Sequence, residues 1–373
     1  MKFKIFGEIL CGKTLAQMHE SMAHDFVVGG ALMPDAHAGY SLPIGGVVMT
    51  EGCIVPAWVG YDIGCGMRGI RTNIIRDDMT PERLEKIKEL ILKAIPMGQN
   101  KHPRASANEH KYEKLSEMFT KKGHEIFWSR GLGQLGTLGG GNHFVEIGYD
   151  EENWVWICIH SGSRGVGHAI ATHYMNAAAR EAGVMKGNVE GGFPLKFGTQ
   201  LFDEYQQDMY AALRWSEYNR MLMTDAVMTA MGKVFEDRIV AKQAIDNIHN
   251  TAVSISGGSY LHRKGATSAA TKELGIIPGN MRDGFFVVKG LGNMESFCSA
   301  SHGAGRVMSR GQAKANIDFD AFKKQMEHIV TNVSIHTVDE APAAYKDIFE
   351  VMDSQKDCVE ILHHVKPLLN LKG

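Results

Sequence analysis

The chain has 373 residues, of which 44% are hydrophobic and 22% charged, with a formal net charge of −2. That is a globular composition, with enough chain for a substantial buried core in one large domain or two ordinary ones. It excludes a strongly basic chain of the histone type, but not a nucleic-acid enzyme, which needs only a local positive groove.

The opening MKFKIFGEIL lacks the apolar core and small-residue cleavage site of a secretory leader. No run of eighteen apolar residues is present, so no membrane span is expected. Cys11, Cys53, Cys65, Cys158, Cys298 and Cys358 are scattered, with no CxxC pair. Dispersed cysteines in a long chain read as reduced thiols in a cytoplasmic protein, any of which is free to act as a ligand. No linker, low-complexity tract or internal repeat divides the chain. Glycines cluster beside histidines, the pattern of loops built around a site.

The segment Met33-Pro34-Asp35-Ala36-His37-Ala38-Gly39 reads as a polar loop that orients a ligand histidine rather than binding metal itself. A strand is predicted over 44–49. Then comes Val59-Gly60-Tyr61-Asp62-Ile63-Gly64-Cys65-Gly66-Met67-Arg68. Asp62 and Cys65 lie three apart in a glycine-flanked turn, where a carboxylate and a thiolate suit one metal, or two with the sulfur bridging. Taken alone, the motif reads rather as a turn aspartate and a small buried cysteine. A strand over 67–74 follows. Thr80 caps a helix with Pro81 in its first turn; Leu84, Ile87, Leu90, Ile91 and Ala94 form its apolar stripe, and Pro96 ends it.

Leu138-Gly139-Gly140-Gly141-Asn142-His143-Phe144-Val145-Glu146 leads into a strand over 143–148. Alternation places His143 and Val145 on one face, with Asn142, Phe144 and Glu146 on the other. His143 then reaches a metal while the other face addresses something else, or it is a satisfied core histidine beside a glycine-rich bend. A buried strand over 153–160 delivers His160 at its C-terminal end, followed by Ser161-Gly162-Ser163-Arg164-Gly165, whose hydroxyls, N–H groups and guanidinium suit phosphate. His168 and His173 fall on the next helix and read as structural or solvent-facing. A helical region spans 199–231, with Leu201, Tyr205, Met209 and Leu213 on its stripe and Met221, Met223, Met228 and Met231 as core filler. Ile248-His249-Asn250 follows a helical stretch, where a lone histidine is ordinarily a cap or core residue. Strands are predicted over 252–256 and 285–291. Ser301-His302-Gly303-Ala304-Gly305-Arg306 is the most reactive constellation: glycines admit a phosphate to main-chain N–H groups, Arg306 offers paired donors, and imidazole can attack phosphorus. A tight turn before a helix is the plain alternative. Strands and helices mix without a βαβ rhythm, so the fold class is α+β, with catalytic loops at strand ends.

In order, MPDAHAGYSLPIGG, VGYDIGCGMRG, LGTLGGGNHFVE, IHSGSRGVGH, His249-Asn250, SHGAGRVMSR, DEAPAAYKD at 339–347 and the final Lys372-Gly373 closely resemble the RtcB family of RNA-splicing and RNA-repair ligases. The resemblance spans nearly the whole chain. It implies one large irregular mixed α/β catalytic domain over residues 1–373. It also implies Asp62, Cys65, His143, His160 and His249 as ligands of two manganese ions, with Cys65 bridging, and His302 as a nucleophile guanylylated by GTP. Nucleotide contacts are implied for Asn142, Phe144, Val145, Glu146, Asn250, Pro278, Gly279, Asn280, Met281, Gly303, Ala304, Gly305, Arg306, Tyr345 and Lys372. Tyr345 would stack on the base and Lys372 would touch its edge. The partners implied are RNA ends, a 3′-phosphate or 2′,3′-cyclic phosphate and a 5′-hydroxyl, with an accessory activator possible.

More than four ligands with open positions suits two metals. The ligand set itself suits zinc at least as well, so manganese comes from the resemblance. The chain departs from the common family loop Pro-Gly-Ser-Met-Gly-Thr-x-Ser: it has Pro278-Gly279-Asn280-Met281-Arg282-Asp283-Gly284-Phe285. Two alternatives stand beside the ligase: a dinuclear metallohydrolase, which has no use for a histidine-headed phosphate loop, and a non-catalytic RNA-end binder, for which the ligands are dispensable.

Overall fold

The computed structural model describes residues 3–8, 11–103, 109–185 and 187–373. Its largest sheet runs in the order Leu274–Pro278, Phe285–Gly290, Val359–Lys372, Phe144–Tyr149, Trp154–Ser161, Gly66–Ile75 and Gln243–Ile248. Every neighbouring pair on that path is antiparallel. A second sheet runs Phe3–Ile5, Val27–Tyr40, Leu42–Glu51, Ser259–Lys264, Asn250–Ser254. The antiparallel pairing and the interspersed helices are the irregular α+β arrangement expected from the sequence.

The chain passes from the first sheet to the second at His249, between the strands Gln243–Ile248 and Asn250–Ser254. The histidine therefore follows a strand, where the sequence suggested a helix. Its N–H bonds the carbonyl of Cys65 at 2.9 Å, which ties the crossing point to the Asp62–Cys65 turn.

The helix Pro81–Ala94 is capped by the Thr80 side chain and buries Leu84, Ile87 and Ile91. Ala94 is exposed, and Ile95, just past the helix end, is buried. The helical region predicted over 199–231 is one helix, Gln200–Phe235. Its first half packs Phe202, Tyr205, Met209 and Trp215 into one core, and its second half packs Met223, Val227 and Met231 into another. This single element thus spans both cores and presents its middle to the site.

The segment 33–39 is not a loop. It belongs to the strand Val27–Tyr40, whose pairing with Leu42–Glu51 is interrupted between Leu32 and His37. That irregularity lets polar Asp35 be wholly buried within a strand. The strand Val359–Lys372, absent from the sequence expectations, lies at the middle of the large sheet and brings Lys372 opposite Phe144.

Candidate metal centre and nucleotide cleft

The Asp62–Cys65 turn, the start of Phe144–Tyr149, the end of Trp154–Ser161 and the crossing at His249 converge. Cys65 Sγ lies 3.4 Å from His143 Nε2 and 3.2 Å from His160 Nε2. The donor atoms of Cys65, His143 and His160 all fall within 4.8 Å of one another. Asp62 Oδ2 is 3.1 Å from His143 Nε2. The ring of His249 is 5.2 Å from that of His160 and 4.8 Å from that of His302.

Backbone carbonyls set the orientation of two imidazoles: Nδ1 of His143 is 2.9 Å from the carbonyl of Leu138, and Nδ1 of His160 is 3.1 Å from that of Asn142. With a proton on each Nδ1, the Nε2 lone pairs face the thiol, the arrangement by which metal-binding histidines are held. Burial pushes the pKa values of His160 and His249 well down, so both are neutral and able to coordinate. Buried Nδ1 of His249 has no hydrogen-bond partner among the described residues. Burial, and then Asp62, hold the Cys65 thiol well above its usual range, so a bound cation is what would make it a thiolate. Burial alone would raise the Asp62 carboxyl, but His143 and Arg164 outweigh it and bring it down to about 2. These donors, neutral or anionic and preoriented, fit a metal.

The long helix braces this cluster. Arg220, fully buried, donates to the carbonyl oxygens of Gly64 (2.8 Å) and Ser161 (3.1 Å) and pairs with Asp246 at 2.6 Å. Asn219 next to it accepts from the N–H of Gly136 at 2.7 Å and donates to Ser161 Oγ at 3.2 Å. Gly139 lies at φ 89°, and a Cβ there would come within 2.0 Å of the Arg164 guanidinium, which explains one of the three glycines.

His302 ends the strand Ser299–Ser301. Its Nδ1 is 2.6 Å from Asp35 Oδ2, and the backbone N–H groups of His302 and Gly303 donate to the same oxygen at 3.1 and 3.3 Å. A proton on Nδ1 directed at Asp35 leaves Nε2 as the free, nucleophilic nitrogen. Asp35 thus orients the proposed nucleophile rather than a ligand histidine. Gly305, at φ 76°, passes so close that a Cβ would lie 2.0 Å from the Asp35 carbonyl oxygen.

His302 opens onto a cleft of about 250 Å3. Its walls include Asn142, Phe144, Glu146, Pro278, Gly279, Asn280, Met281, the Gly303–Arg306 turn, Tyr345 and Lys372. The expected alternation holds: Phe144 and Glu146 face the cleft, while Val145 is buried in the opposite core and does not line it. Asn250 does not line it either. Its amide donates to the carbonyl of Asp62 at 3.0 Å and accepts from Gly265 at 2.9 Å, fastening the metal turn. In the departing loop, Asn280 accepts from the N–H groups of Arg282 and Asp283 at 3.0 and 3.1 Å, and Phe285 is wholly buried. The loop is therefore held by its own residues.

Glu340 and Arg310 lie within the quoted DEAPAAYKD and SHGAGRVMSR, but the sequence assigns a role to neither. The Glu340 carboxylate accepts from Tyr345 (2.6 Å), Lys372 (2.9 Å) and Arg306 (3.3 Å), and also from Arg310. Burial would raise it, but Lys372 and Arg310 keep it below its ordinary value and ionised. One buried anion thereby fixes four cleft side chains. Burial raises Glu146 from 4.5 to about 8 against the opposing effects of Asn370 and Lys372. Glu146 Oε1 and Asn370 Oδ1 lack partners among the described residues, which leaves polar atoms in the cleft wall for a ligand to satisfy.

Fold and site together define a mixed α/β protein in which a buried cysteine–histidine cluster able to hold a metal adjoins a cleft lined by polar and charged side chains. Residues 17–373 match the family described as tRNA-splicing ligase RtcB. The chain is similar to RNA-splicing ligase RtcB of Escherichia coli K12, 37% identical over 366 residues that cover 92% of this chain and 90% of that protein. It is also similar to the tRNA-splicing ligases RtcB of Thermococcus kodakarensis (31% identical; 92% of this chain, 87% of that protein) and Pyrobaculum aerophilum (31% identical; 87% and 83%). The chain belongs to the RtcB family.

Proposed function

We propose that the chain is an RNA ligase that uses GTP and two manganese ions to join a 3′-phosphate or 2′,3′-cyclic phosphate RNA end to a 5′-hydroxyl end, in tRNA splicing or RNA repair. One observation carries the reading: His302, with Nδ1 held by Asp35, stands 4.8 Å ring to ring from His249 of the metal cluster and lines the cleft. A metallohydrolase would leave that oriented imidazole and its glycine turn without a task.

Asp62, Cys65, His143, His160 and His249 hold the metals, which would supply Lewis-acid neutralisation of phosphate charge and lower the pKa of the attacking hydroxyl. His302 Nε2 attacks the α-phosphorus of GTP; the N–P bond forms and pyrophosphate leaves. Arg306 and the N–H groups of the Gly303–Arg306 turn stabilise charge on the transferring phosphoryl. Tyr345 and Lys372 hold the base. The RNA 3′-phosphate, released from a cyclic end by hydrolysis where necessary, takes the guanylyl group and the N–P bond breaks. The 5′-hydroxyl oxygen then attacks the 3′-phosphorus of that activated end; a phosphodiester forms and GMP leaves.

The test is incubation with α-labelled GTP and manganese, followed by denaturation. Acid-labile, alkali-stable label on the wild type and none on His302→Ala is expected. No label on either, or equal label on both, rejects the reading.

A further inference from the structure

Among the proposed metal ligands, Asp62 is the one whose side chain reaches solvent. The Asp62 side chain is 32% exposed, against 7% for that of His143, while Cys65, His160 and His249 are buried. Asp62 is not part of the nucleotide cleft, whose walls carry His160 and His302. The surface beside Asp62 is aromatic. The ring of Tyr61, next to Asp62 in the chain, stacks on His168 at 4.7 Å and 16°. Tyr40 meets Tyr61 edge-on at 5.8 Å.

The group is anchored from beneath. Glu190 accepts from the Tyr61 hydroxyl. Buried Lys264 donates to the carbonyl of Tyr40 at 2.8 Å and lies 5.6 Å from its ring. The outer rings are free: Tyr40 is 54% exposed, and His168 is exposed. Arg164, four residues before His168, opens the helix Arg164–Glu181. Its guanidinium, bonded to Gly98 O and Thr137 Oγ1, has no carboxylate partner among the described residues. Its backbone is at φ 56°, uncommon for a residue with a Cβ.

We propose that Tyr40, Tyr61 and His168 form a stacking platform for the terminal base of the 5′-hydroxyl RNA strand. The inference rests on the ligase reading above and adds the route of the second substrate. An in-line displacement at phosphorus requires the attacking hydroxyl opposite the leaving group. With guanylate held in the cleft beside His302, the hydroxyl would arrive past Asp62, which lies outside that cleft. Stacking on aromatic rings accepts any base, as a ligase that joins ends of varied sequence requires.

The test uses the full chain and a 5′-hydroxyl oligoribonucleotide with 2-aminopurine as its first base. The wild type should quench its fluorescence on binding. His168→Ala and Tyr40→Ala should lose most of the quench and raise KM for that strand roughly ten-fold. His168→Phe, which keeps a flat ring, should restore both. Guanylyl label from GTP checks that each variant is folded. Labelled variants with wild-type quench and KM overturn the platform and leave the ligase reading standing. An unlabelled, non-joining wild type overturns the ligase reading, and the platform with it.

Discussion

Asp35 is wholly buried, and one of its oxygens receives a ring nitrogen and two backbone N–H groups around His302. Asparagine would keep the shape but can present its amide to Nδ1 and favour the wrong tautomer. Asp35→Asn should therefore slow formation of the guanylyl-enzyme by roughly a hundred-fold or more, with metal content unchanged, as read by label uptake over time. Cys65→Ala removes the thiol at the centre of the ligand set, and metal bound per chain after dialysis should fall. Retention of two ions per chain would contradict the bridging role. Glu146 gives a pH signature. Between 4.5 and about 8 the folded protein keeps a proton that the unfolded chain has lost, so stability falls as pH rises through that window. Glu146→Gln should flatten the fall, measured as the difference in denaturant midpoint between pH 5.5 and 7.5 for variant and wild type. An identical slope in the two proteins would show that Glu146 is ionised throughout.

At the scale of elements, the helix Gln200–Phe235 carries the heaviest burden, because Arg220 joins the carbonyls that follow two ligand-bearing segments. Arg220→Ala leaves Asp246 with only the 3.5 Å contact to Arg68 and frees both carbonyls. A loss of about 3–5 kcal/mol in chemical denaturation is expected, together with weaker metal retention. The helix itself was legible from its apolar spacing, as were the strands that carry His143 and His160, because periodicity reports which face is buried. Asp35 was misplaced for a related reason: a polar residue inside a strand contradicts that pattern, and only the interrupted pairing after Leu32 accommodates it. His249 was misread because its neighbours in sequence do not reveal that two sheets meet there.

Across the whole molecule, the proposed ligands stood out as residue types in glycine-rich motifs, but their convergence did not, since the Asp62–Cys65 turn, His143, His160 and His249 come from separate segments of the chain. The order of the large sheet brings them together: Phe144–Tyr149, Trp154–Ser161, Gly66–Ile75 and Gln243–Ile248 are consecutive strands, and each ligand lies at or beside the same end. The cleft-fixing carboxylate of Glu340 escaped notice because its partners, Arg306, Tyr345 and Lys372, meet only in three dimensions. Anomalous diffraction from crystals grown with manganese and GTP tests this convergence most directly. Two peaks sharing Cys65 Sγ, with density for guanylate joined to His302 Nε2, are predicted. Peaks remote from Cys65, or nucleotide with no link to His302, would contradict the account.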